Sequence, residues 1–164
     1  MSDKSKMKLM PLFLSVAGVL LASGVIFYLS SPVNNAEAGI SLSHKDSAVV
    51  DLGLAVYTKN CASCHGVALE GQANWRRRDA DGYLPAPPHD ETGHTWHHPD
   101  SYLFLMTKYG IEEMIGESYA NNMPAYEDTL SDDEIIAALS YIKSTWPGRI
   151  QRQHDQITAR AKAH

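Results

Sequence analysis

The first thirty residues hold the longest apolar run of the chain. Lys4, Lys6 and Lys8 precede an uncharged stretch over residues 9–29, and no charged residue follows until Glu37. About 20 apolar residues span a bilayer as one helix, and lysines favour the cytoplasmic side for the end that carries them. The pattern predicts a cytoplasmic stub and a single-pass transmembrane anchor over residues 1–30. The rest of the chain would then face the periplasm, or the outside of a cell that has only one membrane.

A cleaved signal peptide is the alternative interpretation of this leader. Ala36, Glu37 and Ala38 form an A-x-A-like cleavage site. However, the apolar run is longer than the roughly 7–15 residues of a usual signal-peptide core. Both interpretations deliver the remaining chain to the same side of the membrane. Residues 31–46 are small and polar, which predicts a short linker.

Beyond the linker, three stretches show the spacing of amphipathic helices: residues 47–59, 99–109 and 131–146. Gly110 follows the second stretch and predicts its C-terminal end. The third opens with a capping-box sequence, Ser131 followed three residues later by Glu134. Apolar side chains recurring every three or four residues mark the face that packs against the core. The predicted inward residues are Val50, Leu54 and Tyr57 in the first stretch, Leu103, Met106 and Tyr109 in the second, and Ile135, Leu139, Ile142 and Trp146 in the third.

The chain between the first two predicted helices has a different composition. Residues 66–98 are rich in Gly, Pro, Asp and Arg and show no sustained helical period. So long a loop is unusual in a compact domain, but it is expected where the chain wraps a cofactor. We therefore predict one domain of short helices and a long loop over residues 47–148. The polar tail over residues 149–164 is predicted to be frayed or only weakly helical.

The distribution of charge excludes one class of function. The whole chain has a formal net charge of −5. Basic residues are concentrated in the run from Arg76 to Arg78 and in the tail after Lys143, and no broad basic face is predicted. Residues 112–134 hold eight acidic residues and no Lys or Arg. Nucleic acid is therefore not expected as a partner.

The chemistry of the chain centres on its only two cysteines. Cys61 and Cys64 form a C-x-x-C-H motif with His65. Two thiols at this spacing can each form a thioether to a haem vinyl group, and the histidine can bind the iron. A redox-active dithiol would need a βαβ pattern, and a zinc site would need a second ligand pair. The motif predicts one covalent haem c with His65 as an axial iron ligand.

A second axial ligand is predicted among the methionines. Met123 lies in an asparagine-rich loop and is followed by Pro124, an arrangement that can present a thioether rigidly. Met106 lies on an inner helix face, where a methionine usually fills the core, and Met114 is predicted in an acidic loop. We therefore predict Met123 as the ligand opposite His65. A neutral, soft thioether favours ferrous iron and raises the reduction potential.

With these features the chain resembles class I cytochromes c, in particular the bacterial membrane-anchored type with one haem. The resemblance covers residues 48–147. Its elements are Gly53, Tyr57, the C-x-x-C-H motif, the methionine loop over residues 122–125, Ala138, Tyr141 and Ile142. It implies an all-α fold in which the first and last helices cross, with glycine and aromatic residues at the crossing. A merely tolerated mid-helix glycine at position 53 is the alternative.

The resemblance also implies a function and a set of partners. It implies non-enzymatic transfer of single electrons between respiratory proteins, such as a terminal oxidase, another reductase or a quinol–cytochrome c oxidoreductase. By the same resemblance, a carbonyl of the proline segment 85–88 accepts a hydrogen bond from His65. The guanidinium groups of arginine suit the carboxylates of the haem propionates, although a run of arginines is more often a solvated surface. The candidate haem contacts are Trp75, Arg76, Arg77, Arg78, Pro87, Pro88 and Trp96.

One histidine-rich segment departs from the resemblance. His94, His97 and His98 lie within five residues and could bind a metal such as copper. That alternative describes a redox or metal-handling protein that binds both haem and copper. One of the three, or His89, could instead replace methionine as the second iron ligand. A haem enzyme or sensor with an open distal site is the remaining alternative.

Overall fold

The computed structural model describes residues 39–116 and 118–163. These residues belong to one compact unit. The predicted anchor, the candidate cleavage site at Ala38 and most of the predicted linker lie outside the described residues. In the part of the chain that is described, no helix is both long enough and apolar enough to cross a membrane.

The described residues form six α-helices and one short 3-10 helix, with no β-strand among them. The prediction of an all-α domain is therefore confirmed. The segment between residues 66 and 98 contains only the 3-10 helix, as its composition predicted. In chain order the helices are α1 (Ser47–Asn60), α2 (Ala62–His65), the 3-10 helix (Thr95–His97), α3 (Asp100–Tyr109), α4 (Ile111–Ile115), α5 (Asp132–Thr145) and α6 (Gly148–Ala161).

The core is organised by the crossing of α1 and α5. A Cβ atom added at Gly53 would lie 2.6 Å from the carbonyl carbon of Ala137 and 2.8 Å from Tyr141 Cβ. Beside this contact, the rings of Tyr57 and Tyr141 pack with their centroids 5.5 Å apart. The two backbones can approach this closely only because position 53 has no side chain. Gly53 is therefore required for the crossing, and the alternative of a merely tolerated glycine is wrong.

The buried faces of α1 and α3 differ in part from the predicted ones. In α1 the buried residues are Gly53, Val56 and Tyr57, whereas Leu54 is 46% exposed. The reason is that α5 contacts α1 at the glycine, which turns Val56 rather than Leu54 toward the core. In α3, Leu103 and Phe104 are buried. Tyr109 is 37% exposed, so its predicted inward position is wrong. Met106 is half-buried, so its predicted position is only partly right.

The two predicted boundaries with specific sequence signals are confirmed. Ser131 Oγ accepts a hydrogen bond from the Glu134 backbone N–H at 3.3 Å, and Glu134 Oε2 accepts one from the Ser131 N–H at 2.9 Å. This capping box starts α5. Gly110 ends α3 with a φ of +87°, a backbone conformation that glycine adopts without strain.

The prediction of a frayed tail is wrong. Residues Gly148–Ala161 form the 14-residue helix α6. Its buried stripe consists of Ile150, His154 and Thr158, at positions i, i+4 and i+8. Two of these three residues are polar, so the stripe does not stand out as hydrophobic in the sequence. Burial of the two polar side chains depends on partners from other parts of the chain.

These partners form a buried polar cluster at the start of α3. Asp100 Oδ2 accepts from the Leu42 N–H at 2.9 Å, and Thr158 Oγ1 donates to Asp100 Oδ1 at 3.1 Å. Lys143 Nζ lies 3.9 Å from Asp100 Oδ1 and His154 Nε2 lies 3.6 Å from the same oxygen. The cluster therefore joins the N-terminal segment, α3, α5 and α6 through charged and polar groups.

Candidate haem-binding site

The two cysteines flank the first turn of the short helix α2. The N–H of Cys61 donates to the Tyr57 carbonyl at 2.8 Å, so α2 follows α1 directly, and the His65 N–H donates to the Cys61 carbonyl at 3.0 Å. Both thiols are free; Cys61 is half-buried and Cys64 is exposed. Burial, with a contribution from Cys64, raises the pKa of the Cys61 thiol to about 11. A reactive thiolate needs a lowered pKa, so Cys61 is not activated as a redox nucleophile.

The imidazole of His65 is buried and oriented by a backbone carbonyl. His65 Nδ1 lies 2.8 Å from the Pro87 carbonyl oxygen. Because a carbonyl can only accept, Nδ1 carries the proton and Nε2 keeps its lone pair. Burial also lowers the pKa of His65, which favours the neutral ring. A neutral, fixed imidazole with a free Nε2, next to two free thiols, fits the ligand set of a haem c.

The proline segment that supplies this carbonyl is held against the motif by Gly71. The Gly71 N–H donates to the His65 carbonyl at 2.8 Å, and the Gln72 N–H donates to the Ala86 carbonyl at 2.8 Å. Gly71 has a φ of +67°, and a Cβ added there would lie 2.6 Å from the carbonyl carbon of Pro87. A side chain at position 71 would therefore push the proline segment away from His65.

Two tyrosine hydroxyls bracket the C-x-x-C-H motif. Tyr57 donates to the Gly66 carbonyl at 2.8 Å, and Tyr126 donates to the Asn60 carbonyl at 2.8 Å. Burial raises the pKa of Tyr57 and raises the pKa of Tyr126 to about 12, so both remain donors at neutral pH. Tyr126 was not among the predicted site residues. The available signal was a tyrosine three residues after Met123, in the loop that was expected to carry a ligand.

We expect Tyr126→Phe to lower the free energy of unfolding by about 1 kcal/mol, because one hydrogen bond to the motif is lost. Denaturant unfolding of the haem-loaded protein measures this change. Tyr102→Phe is the matched control, since Tyr102 packs by stacking on His98, with ring centroids 4.6 Å apart. Equal losses in the two variants would contradict a role for the Tyr126 hydroxyl.

The loop that carries Met123 is stiffened by an asparagine. Asn121 Oδ1 accepts from the Met123 N–H at 3.0 Å, and Asn121 Nδ2 donates to the Tyr119 carbonyl at 2.8 Å. The Met123 side chain is half-buried. Met114 lies on α4 and not in a loop, which corrects its predicted placement. Ligation of the iron by Met123 stays a prediction.

Pro87 is the predicted haem neighbour that the structure brings to His65. Pro88 is buried and lies next to Gly93, where an added Cβ would be 2.8 Å from the Pro88 carbonyl carbon. The aromatic and basic candidates have partners of their own. Arg78 Nη1 donates to the Gly82 carbonyl at 2.6 Å, the Arg76 guanidinium lies 4.1 Å from the centre of the Trp75 ring, and Trp96 Nε1 donates to the Glu91 carbonyl at 3.3 Å. Their contact with haem propionates, and that of Arg77, stays a prediction.

The three clustered histidines each stack on a different aromatic ring. His94 stacks on Trp75 at 5.5 Å, His97 on Trp96 at 3.6 Å and His98 on Tyr102 at 4.6 Å between centroids. Across residues 39–116 and 118–163, no group of three or more His, Cys, Asp or Glu side chains could hold a metal ion. The structure therefore gives no support to the alternative of a copper site.

His89 lies on the proximal side of the site. Its ring stacks on that of His65, with the centroids 4.0 Å apart and the planes inclined by 22°. An iron ligand opposite His65 would have to lie beyond the metal, along the axis of the bond from Nε2. The stacked ring lies instead against the face of His65. This geometry excludes His89 as the second axial ligand.

One cavity of about 610 Å³ lies between α3, α4 and the short segment that follows the methionine loop. Its lining residues are Leu105, Tyr109, Glu113, Met114 and Glu127. None of them belongs to the C-x-x-C-H motif, and two are carboxylates. The chemistry of the site is therefore defined by the ligand-type residues described above, and this cavity adds nothing to it.

Comparison with known proteins also points to a haem c site. A family model described as Cytochrome c matches residues 50–146, which is more than half of the chain. No curated protein and no solved structure matches the chain. The matched region runs from α1 to the end of α5 and includes the motif, the proline segment and the methionine loop. The chain therefore belongs to the cytochrome c family, as a class I c-type cytochrome with haem c as its cofactor and haem-based electron transfer as its general function.

Proposed function

We propose that the protein is a one-electron carrier, not an enzyme. Its single haem is joined covalently to Cys61 and Cys64 and is ligated by His65 and Met123. The observation that carries the proposal is the 2.8 Å hydrogen bond from His65 Nδ1 to the Pro87 carbonyl. It leaves Nε2 unprotonated and fixed in direction, as an axial ligand requires.

The residues around the motif prepare this ligand set. When bound, the haem supplies an iron that exchanges one electron reversibly. Tyr57 and Tyr126 hold the carbonyls at the two ends of the motif. Asn121 restrains the backbone of Met123. His65 and Met123 would hold the iron of the haem as neutral ligands, a pair that would favour the ferrous state and would leave no position for a substrate.

The proposed location and partners follow from the leader and from the surface charge. Residues 1–30 would anchor the haem domain to the periplasmic face of a bacterial inner membrane. The partners would be respiratory redox proteins, such as a terminal oxidase, another reductase or a quinol–cytochrome c oxidoreductase. Exposed carboxylates at Glu112, Glu113, Glu127 and Asp128 favour a basic docking surface on the partner. The transfer rate should then fall as the ionic strength rises.

We expect Met123→Ala to abolish the weak far-red charge-transfer band of the oxidised protein, because that band reports a methionine–iron bond. The protein is co-expressed with haem-maturation machinery, and its optical spectrum is recorded in the ferric state. Met114→Ala is the matched control and should keep the band. Absence of the band from the parent would contradict methionine ligation. Binding of carbon monoxide by the reduced parent would then support an open distal site.

Covalent attachment of the haem to Cys61 and Cys64 is tested by a separate measurement. Haem staining after denaturing electrophoresis should show a band for the parent and none for the double variant Cys61→Ser/Cys64→Ser. A parent that loses its haem on denaturation would contradict the thioether bonds while leaving His65 as a possible ligand.

A further inference from the structure

We propose that His89 is a positioning residue for the proximal iron ligand. Its ring fixes the plane of the His65 imidazole and makes the surroundings of that ligand more polar, which lowers the reduction potential of the haem. This inference rests on the proposed ligation of the iron by His65. It concerns a histidine that belongs neither to the C-x-x-C-H motif nor to the distal loop.

The hydrogen bond to Pro87 restrains His65 at a single atom. It sets the direction of Nδ1 but leaves the ring free to tilt about the axis through that bond. The face of His65 is covered by the His89 ring, with the centroids 4.0 Å apart and an angle of 22° between the planes. A tilt of His65 would drive its ring into His89. The carbonyl and the stacked ring together therefore fix both the direction and the plane of the imidazole.

His89 can act as a stop because it is itself held from several sides. Its Nδ1 lies 2.7 Å from Thr95 Oγ1, and Thr95 is only 6% exposed. Its backbone N–H donates to the Leu69 carbonyl at 2.8 Å, and its carbonyl accepts from Trp146 Nε1 at 2.7 Å. Trp146 lies at the end of α5. The proximal side is thus fastened to the helix that forms the core.

The expected effect on the potential follows from the polarity of His89. An imidazole ring is polar, whereas an aliphatic side chain at the same position would not be. Polar groups near the iron stabilise the more positive ferric state, and an apolar environment disfavours it. Replacing His89 by an apolar residue should therefore raise the reduction potential.

Three variants separate the stacked ring from its polarity. His89→Leu removes the ring, His89→Phe keeps an aromatic face but removes the polarity and the bond to Thr95, and Thr95→Val removes only the anchor of the ring. His97→Phe is the matched control, because His97 stacks on Trp96. The haem-loaded full chain is used throughout. The readouts are the paramagnetically shifted haem methyl resonances of the ferric protein, which report the plane of the axial imidazole, and the midpoint potential.

We expect His89→Leu to change the order and spread of the methyl shifts and to raise the midpoint potential. His89→Phe keeps a ring face against His65 but loses the bond to Thr95, so it should shift the methyl pattern less than His89→Leu and should raise the potential. Thr95→Val should shift both readouts in the direction of His89→Leu by a smaller amount. The control should match the parent. If His89→Leu does not fold, the other two variants still carry the test. Parent-like methyl shifts and potentials in every folded variant would overturn the inference.

The parent spectrum separates this inference from the proposed function. A parent without a low-spin, histidine-ligated ferric spectrum would overturn ligation by His65, and the role of His89 with it. A low-spin parent whose folded variants all behave like the parent would overturn only the role of His89.

Discussion

We expect Gly53→Val to lower the free energy of unfolding by about 3 kcal/mol, because overpacking a helix crossing forces backbone shifts that cost this much. The new Cβ would lie 2.6 Å from the carbonyl carbon of Ala137. Unlike the end of a flexible side chain, this backbone atom cannot move aside without displacing α5. The loss should occur even though valine has a higher helix propensity than glycine.

Denaturant unfolding of the haem-loaded protein measures the Gly53→Val effect, with Ala55→Val as the matched control. Ala55 lies two residues further along α1 on its exposed face. The control therefore isolates the cost of a β-branched residue in this helix, which is at most about 0.7 kcal/mol. If the two variants lost similar amounts, close approach of α1 and α5 at position 53 would not be what stabilises the crossing.

Lys143→Met is expected to cost about 3–5 kcal/mol, because removing one partner of a buried ion pair leaves an uncompensated charge. The side chains of Lys143 and Asp100 are each only 3% exposed, with Nζ and Oδ1 3.9 Å apart. Lys143 also donates to Asp155 at 2.6 Å. Methionine matches the length of the lysine stem, so the loss reports the charge more than the packing. Lys162→Met, at an exposed position at the end of α6, is the control.

The cost of Lys143→Met should depend on pH through His154. Burial and the Lys143 charge lower the pKa of His154 in the parent. Its charged neighbours are Lys143, Asp100 and Asp155. In the parent, a lowered folded pKa means that stability is lost as the pH falls below the usual histidine value of about 6.5.

In the variant, the repulsion from Lys143 is gone while Asp100 Oδ1 remains 3.6 Å from His154 Nε2. The folded pKa of His154 is therefore higher in the variant than in the parent, so the variant loses less stability than the parent as the pH falls. The destabilisation by Lys143→Met should accordingly be smaller near about pH 5.5 than near about pH 8. Unfolding at both pH values measures it. A pH-independent cost, or one that persists unchanged in Lys143→Met/His154→Gln, would contradict the coupling.

The sequence determined the features whose signals are local. The C-x-x-C-H motif, the capping box at Ser131 and the glycine stop at residue 110 each act within a few residues of chain. Their physical chemistry is the same in any surrounding fold. The apolar period likewise gave the length of the first helix to within one residue, and composition gave the loop over residues 66–98.

The tertiary structure decided which residues are buried and what they contact. The helical period of α1 was consistent with an inward Leu54, but the contact with α5 selected the face of Gly53 and Val56. Helix α6 was missed because a histidine and a threonine occupy its buried stripe. Such residues are buried only where distant groups supply hydrogen bonds or opposite charges, and no local pattern encodes those partners.

The same division holds within the candidate site. The residue types at Cys61, Cys64 and His65 predict haem chemistry by themselves, since their spacing along one turn defines the donor set. The hydroxyl of Tyr126 and the ring of His89 reach the motif across 66 and 24 residues of chain, respectively. Sequence alone therefore fixed the chemistry of the ligands, whereas only the packing of distant segments decided how firmly those ligands are held.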